Sequence, residues 1–193
     1  MSIDATTALK PDIYRVTTIV LVPGFTAIGP WLAGVFWPSL MNAQTWAGAT
    51  TVPISVTIFG MVLVAGFVLE DLGSRIEAKI LDRWLRDKAP LLFAYWYRYL
   101  GLKTDAEVVG QRYLRALLVR FKFELSMVPA AVICGLGFLT AEFLGHGTGS
   151  WIKTGVIWLI LVELATLMAA EAMAGSVLLA RTRRIVVRSC SSR

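Results

Sequence analysis

From Val16 to Leu69 the chain runs 54 residues without a Lys, Arg, Asp, Glu or His, and the next 55, Glu70 to Glu124, carry 19 charges. Such segregation leaves few folds open. An apolar stretch in lipid must satisfy its own main-chain N–H and C=O groups, which a helix does without help from neighbours. A bilayer core of ~30 Å takes about 20 helical residues, so 54 are too many for one crossing and predict a hairpin of two.

The whole chain agrees with a membrane setting. Of its 193 residues 56% are hydrophobic and only 17% charged, against roughly 25% charged in soluble domains. Residues 1–13 have neither an apolar core nor a cleavage site, so no secretory signal is expected. The two cysteines, Cys134 in an apolar stretch and Cys190 near the C-terminus, form no disulfide framework or metal-ligand spacing. His146 is the only histidine, and no nucleophile, base and acid set surrounds it. The run GHGTGS at residues 145–150 lacks the Lys-Ser/Thr ending of a phosphate loop and is read as a turn. Neither an enzyme nor a cofactor or metal is expected.

The fold class expected is all-α, an integral membrane protein with four transmembrane helices. The first spans about residues 16–36 and carries Pro23, Gly24, Gly29, Pro30 and Gly34. Each proline removes a backbone donor, so this helix is kinked against protein or lines a cavity. A polar loop follows, and the second span covers about residues 53–70. No proline intervenes before Pro90, so this helix runs on to about Lys88, ~36 residues or ~54 Å, and protrudes. A capping box at Thr104, Asp105 and Glu107 starts a third long helix, with Val109, Tyr113, Leu117 and Phe121 on its inner face. It continues into the third span, about residues 125–144. The fourth covers about 154–180, leaving a basic tail at 181–193 that is expected to fray. Residues 70–124 thus form a small helical domain built on extensions of the second and third spans. No internal repeat is recognised.

Orientation comes from Lys and Arg. Eighteen of the 19 lie in the N-terminal segment, residues 70–124 or the C-terminal tail, and only Lys153 lies on the opposite side. The positive-inside rule then places both termini and residues 70–124 in the cytoplasm, in a bacterial inner membrane.

Four groups of residues are candidates for function. Glu163 falls ~14 Å along the fourth span, near the midplane, and Glu171 lies two turns further on. An intramembrane carboxylate marks an ion pathway or a polar lock within the bundle, the latter through a hydroxyl such as Thr166 or Thr26. Small residues at Ala165, Ala169, Ala170 and Ala174 permit close helix packing, within the monomer or between subunits of a homo-oligomer. An apolar stripe of Leu72, Ile76, Ile80 and Trp84 on the protruding second helix needs a partner, and its last three residues are read as a docking site for a cytoplasmic protein. Arg112, Arg115 and Lys122 share one side of the third helix, where they suit anionic lipid headgroups or a protein partner rather than nucleic acid.

These features lead to a non-enzymatic, homo-oligomeric membrane protein, either a channel-like effector or the anchor and sensor for a cytoplasmic partner. In architecture it resembles the four-span membrane components of bacterial stress and antiphage defence systems, which implies an effector whose activation perturbs the membrane. A small proton- or cation-coupled transporter using Glu163 is the alternative. Small multidrug exporters also have four spans, but they carry a Glu in the first, and this chain has none there. Topology is checked by attaching a reporter active only in the cytoplasm. It should be active at the C-terminus and silent at Gly147, and the reverse pattern would invert the orientation.

Overall fold

The computed structural model describes residues 17–36, 51–100 and 109–191, and among them there are helices and no strand. The first helix is α1 (Val22–Trp31), flanked by π-helical turns Thr17–Leu21 and Leu32–Phe36. Then come α2 (Thr51–Ile76), a π turn Glu77–Leu81, α3 (Asp82–Lys88), α4 (Pro90–Leu100), α5 (Val109–Phe143) and α6 (Trp151–Ser191). Four of these helical stretches are long and apolar enough to cross a membrane. The capping box at residues 104–107 and the loop at 39–50 lie outside the described residues.

Two prolines and several glycines make α1 irregular, and the same glycines let it pack. A methyl group on Gly24 would stand 2.2 Å from the Val62 carbonyl oxygen, and one on Gly66 2.2 Å from that of Val20. The contacts are reciprocal: Val20 of the first π turn and Gly24 of α1 face Val62 and Gly66 of α2. Reciprocity exposes a repeat that the sequence reading did not recognise, VLVPGF at residues 20–25 and VLVAGF at 62–67. The two copies bury the same positions, Val20 with Val62 and Gly24 with Gly66, and expose the same ones, Val22 with Val64 and Phe25 with Phe67. Close backbone approach through small residues is how helices associate where no hydrophobic driving force exists between them.

The centre of the molecule is α5, which packs against α1, α2 and α6. Pro129 removes the N–H that would bond the Leu125 carbonyl. At that point Gly73 of α2 packs closely on Leu125 and Ser126, where an added methyl would stand 3.2 Å from the Leu125 carbonyl carbon. Trp31 of α1 lies over Gly137, and its indole N–H donates to the Ile133 carbonyl at 3.1 Å. Trp158 of α6 lies over Gly135. Both indoles thus fill space that a side chain on α5 would occupy.

At one end α5 stops on Gly145, whose φ of +73° suits glycine. The Gly145 N–H bonds to the Glu142 carbonyl and that of His146 to the Ala141 carbonyl, a Schellman ending. The Glu142 carboxylate then accepts from the Thr148 N–H at 2.8 Å and from the Thr148 and Thr154 hydroxyls at 3.1 Å. GHGTGS is therefore a tight turn between α5 and α6.

The opposite, charged end departs from expectation in two ways. The π turn at Glu77–Leu81 adds a residue to the helical path and shifts its inner face by one position. Leu81 and Leu85 enter the core, while Ile80 and Trp84 turn outward. Of the predicted stripe only Ile76 packs against the core cluster, with Leu114, Phe121, Ala172, Leu179 and Val186. Secondly, residues 181–191 do not fray. They continue α6, a 41-residue helix, and bury Val186 and Val187. A basic composition suggested a solvated tail; the two valines inside it give that stretch a core to pack against. Ala89 ends α3 with φ −145°, since the residue before a proline is pushed out of the helical region.

If the reciprocal glycines set the α1–α2 crossing, Gly24→Ala and Gly66→Ala should each destabilise the solubilised protein by ~1–3 kcal/mol through overpacking. Gly60→Ala, where an added methyl meets nothing within 4 Å, should instead gain ~0.5–1 kcal/mol of helix stability. Thermal unfolding of the three variants distinguishes these signs.

Candidate functional site

At the charged end several acidic and basic side chains are matched. Arg120 on α5 donates to Glu124 one turn on and to Glu171 of α6, each at 2.7 Å. The Glu124 side chain is only 6% exposed, whereas those of Arg120 and Glu171 are more than half exposed. Lys122 bonds Glu77 in the π turn and the Ser74 hydroxyl at 3.0 Å. On the surface Asp71 pairs with Arg75 at 2.8 Å. These bonds tie α2, α5 and α6 together beside the core cluster of Phe121, Leu125 and Ala172.

This geometry redistributes the residues chosen from sequence. Lys122 is turned into the bundle with Glu77, so it does not share an open basic surface with Arg115, which is exposed. The Arg112 side chain lies outside the described residues. Glu171 is a bundle ion-pair partner through Arg120. Ile76 is part of the core, Ile80 is 62% exposed and Trp84 39% exposed. Sequence reasoning passed over Arg120 and Glu124. Their i,i+4 spacing was a readable signal, but the link to Glu171, 51 residues away, was not.

The small residues of α6 divide between two faces. Ala165 and Ala169 line an apolar groove of about 270 Å³ against Val128, Ala131 and Val132 of α5. Ala170 and Ala174 are exposed on the outside, and so is Glu163. At 100° per residue Glu163, Ala170 and Ala174 lie within about 20° of one line along the helix. The hydroxyls proposed to hold Glu163 are otherwise engaged. Thr166 donates to the Glu163 main-chain carbonyl at 2.8 Å, and Thr26 donates to the Val22 carbonyl at 2.9 Å.

Around Glu163 the outer face of α6 is apolar and open, with Leu159, Ile160, Val162 and Leu167 exposed. In its most apolar stretch only 6% of residues are buried within the chain, against 50% for α5. Among the described residues no cluster of three or more His, Cys, Asp or Glu has metal-site spacing.

The fold and this site define a class, an all-helical protein with four helices long and apolar enough to cross a membrane. No protein-family model, curated protein or solved structure matches the chain.

Arg120→Gln should leave Glu124 buried without its ionic partner and cost about 2 kcal/mol. Glu171→Gln removes a largely exposed pair and should cost less than ~1 kcal/mol. Denaturation of the two variants in one detergent compares them, and equal losses would contradict the assigned burial.

Proposed function

We propose that the chain is a non-enzymatic, multi-pass protein of a bacterial inner membrane that works as a homo-oligomer assembled through the outer face of α6. The supporting observation is the exposed Glu163 on the line of Ala170 and Ala174. A carboxylate facing lipid near the midplane costs several kcal/mol, while small residues on the same line let a second helix come close. Subunit contact removes Glu163 from lipid and gives it partners from neighbouring copies.

Convergence of several α6 helices would form an acidic ring, the arrangement that selects cations in channels. The reading is thus a channel-like effector, of the kind used in stress or antiphage defence, whose Glu163 ring lies on the assembly axis. The alternative of a cation-coupled transporter using Glu163 within one chain is less well supported, because the residue is on the outside of its own bundle. A role as anchor for a cytoplasmic partner is favoured by a separate observation, the outward-facing Ile80 and Trp84.

The solubilised wild-type particle should have the mass of several chains. Ala170→Leu and Ala174→Leu should lower that mass, whereas Ala172→Ser, at a buried position, should not. Glu163→Gln keeps shape and hydrogen bonding while removing charge, so it should preserve the mass and abolish cation flux in liposomes. A wild-type particle of monomer mass would end the proposal, and full flux from a well-folded Glu163→Gln protein would remove the channel part of it.

A further inference from the structure

The C-terminal stretch of α6 walls a cleft of about 720 Å³ against the elbow between α3 and α4, within the ~300–1,000 Å³ typical of small-ligand sites. Lys88 lines it from the end of α3, and Arg181, Arg184 and Arg188 line it from α6, the three arginines spread over about 60° of the helix surface. No carboxylate is among the lining residues. Elsewhere at this end the pattern is opposite, since Arg75, Arg120 and Lys122 each have an acidic partner. Arg184 is partly buried, its Nε is shut off from water with no hydrogen-bond partner among the described residues, and its guanidinium lies 5.7 Å from the Tyr95 ring. A hydrogen bond with Arg188, together with the charges of Arg188, Arg184 and Arg98, holds the Tyr95 phenol below its usual range. The local field is therefore strongly positive.

On the membrane reading, two contacts place this cleft in water beyond the bilayer. Glu171 of α6 is bonded to Arg120, and on α2 Gly73, two residues past the charged Asp71, packs on Leu125. The apolar spans therefore end near residue 171 of α6 rather than near 180. At 1.5 Å per residue Arg181 stands ~15 Å and Arg188 ~26 Å beyond that level, past a headgroup layer about 5–8 Å deep. A dissolved anion reaches such a cleft, and a lipid headgroup does not.

Four cations around one cleft repel one another, and an anion of matching charge relieves them. Guanidinium groups suit phosphate in particular, because their planar fork donates two parallel bonds to its oxygens. With about −1.5 to −2 on its terminal phosphate and about −1 on each inner one, a triphosphate carries roughly one negative charge for each cation. Pro90, Leu91, Leu92 and Ile185 add an apolar wall, of which Leu91 is 79% and Ile185 66% exposed. Bare phosphate has no use for that wall, whereas the faces of a nucleobase bury against it. A nucleic-acid strand suits the cleft less well, because no aromatic residue lines it for successive bases to stack on.

We propose that this cleft binds a soluble nucleoside triphosphate, its phosphates on Lys88, Arg181, Arg184 and Arg188 and its base against Leu91, Leu92 and Ile185. The site differs from the Arg112, Arg115 and Lys122 patch read from the sequence, and it depends on neither the oligomer nor Glu163. Ligand held here joins the α3–α4 elbow to the end of α6.

Isothermal titration calorimetry of the full chain in uncharged detergent with EDTA tests it, using ATP, AMP, adenosine and inorganic tripolyphosphate as probes. ATP should bind more tightly than AMP or tripolyphosphate, and adenosine should not bind measurably. Arg181→Gln and Arg188→Gln, both at exposed positions, should each weaken ATP binding about tenfold, the worth of one charge-assisted hydrogen bond. Arg75→Gln should leave binding unchanged. Absence of ATP binding, adenosine or tripolyphosphate bound as tightly as ATP, an oligonucleotide preferred to ATP, or full ATP affinity in both arginine variants would overturn the site. A wild-type particle of monomer mass that still binds ATP in this order would end the oligomer reading and leave this one standing.

Discussion

The packing of α5 decides what the other helices can do. With α1 and α2 on one flank and α6 on another, α5 is half buried along its apolar length. It gives up side-chain volume to achieve this: Gly135 and Gly137 each accept an indole, and its Leu125–Ser126 main chain meets Gly73. By contrast, α6 packs on α5 and, at the charged end, on α4, so most of its apolar surface is left outside. An uncovered apolar helix is unremarkable in lipid. An uncovered carboxylate on that helix is not, and the proposed assembly rests on Glu163.

Electrostatics divides the molecule in a related way. Buried Glu124 is matched by Arg120, and half-buried Lys122 by Glu77, because an unpaired charge removed from water is far more costly than a paired one. Two places break that pattern. One is Glu163, which has no Lys or Arg within two turns of it along α6. The other is the cleft of Lys88, Arg181, Arg184 and Arg188, which lacks an acid. One is a negative group on the apolar stretch of α6 and the other a group of positive side chains at the charged end. On the proposed reading, neighbouring copies supply the missing partner of Glu163.

The existence of four apolar helices was legible in the sequence, because uncharged apolar stretches such as residues 16–36 and 53–69 are each long enough to cross a bilayer as a helix. Finer placement was less legible, for identifiable physical reasons. The stripe Leu72, Ile76, Ile80 and Trp84 assumes 3.6 residues per turn throughout, and one π turn at Glu77–Leu81 carries Leu81 and Leu85 inward instead. The VLVPGF and VLVAGF repeat is only six residues long, and its meaning lies in a reciprocal backbone contact rather than in periodicity. Val186 and Val187 were hidden among arginines, so residues 181–191 read as tail. At the candidate site, Glu163 stood out because it interrupts an apolar span. The pairing of Arg120 with Glu171 depends on a distance in space that spacing along the chain does not report.

Cysteine cross-linking in native membranes tests most directly whether the open face of α6 is a subunit contact. Cys134 and Cys190 are first replaced by Ser, then single cysteines are placed at Ala170, Ala174 and Ala172. The account predicts disulfide-linked dimers for Ala170→Cys and Ala174→Cys under mild oxidation, and none for Ala172→Cys, which faces the interior. Absence of dimers from the first two positions, or dimers formed as readily from the third, would contradict it.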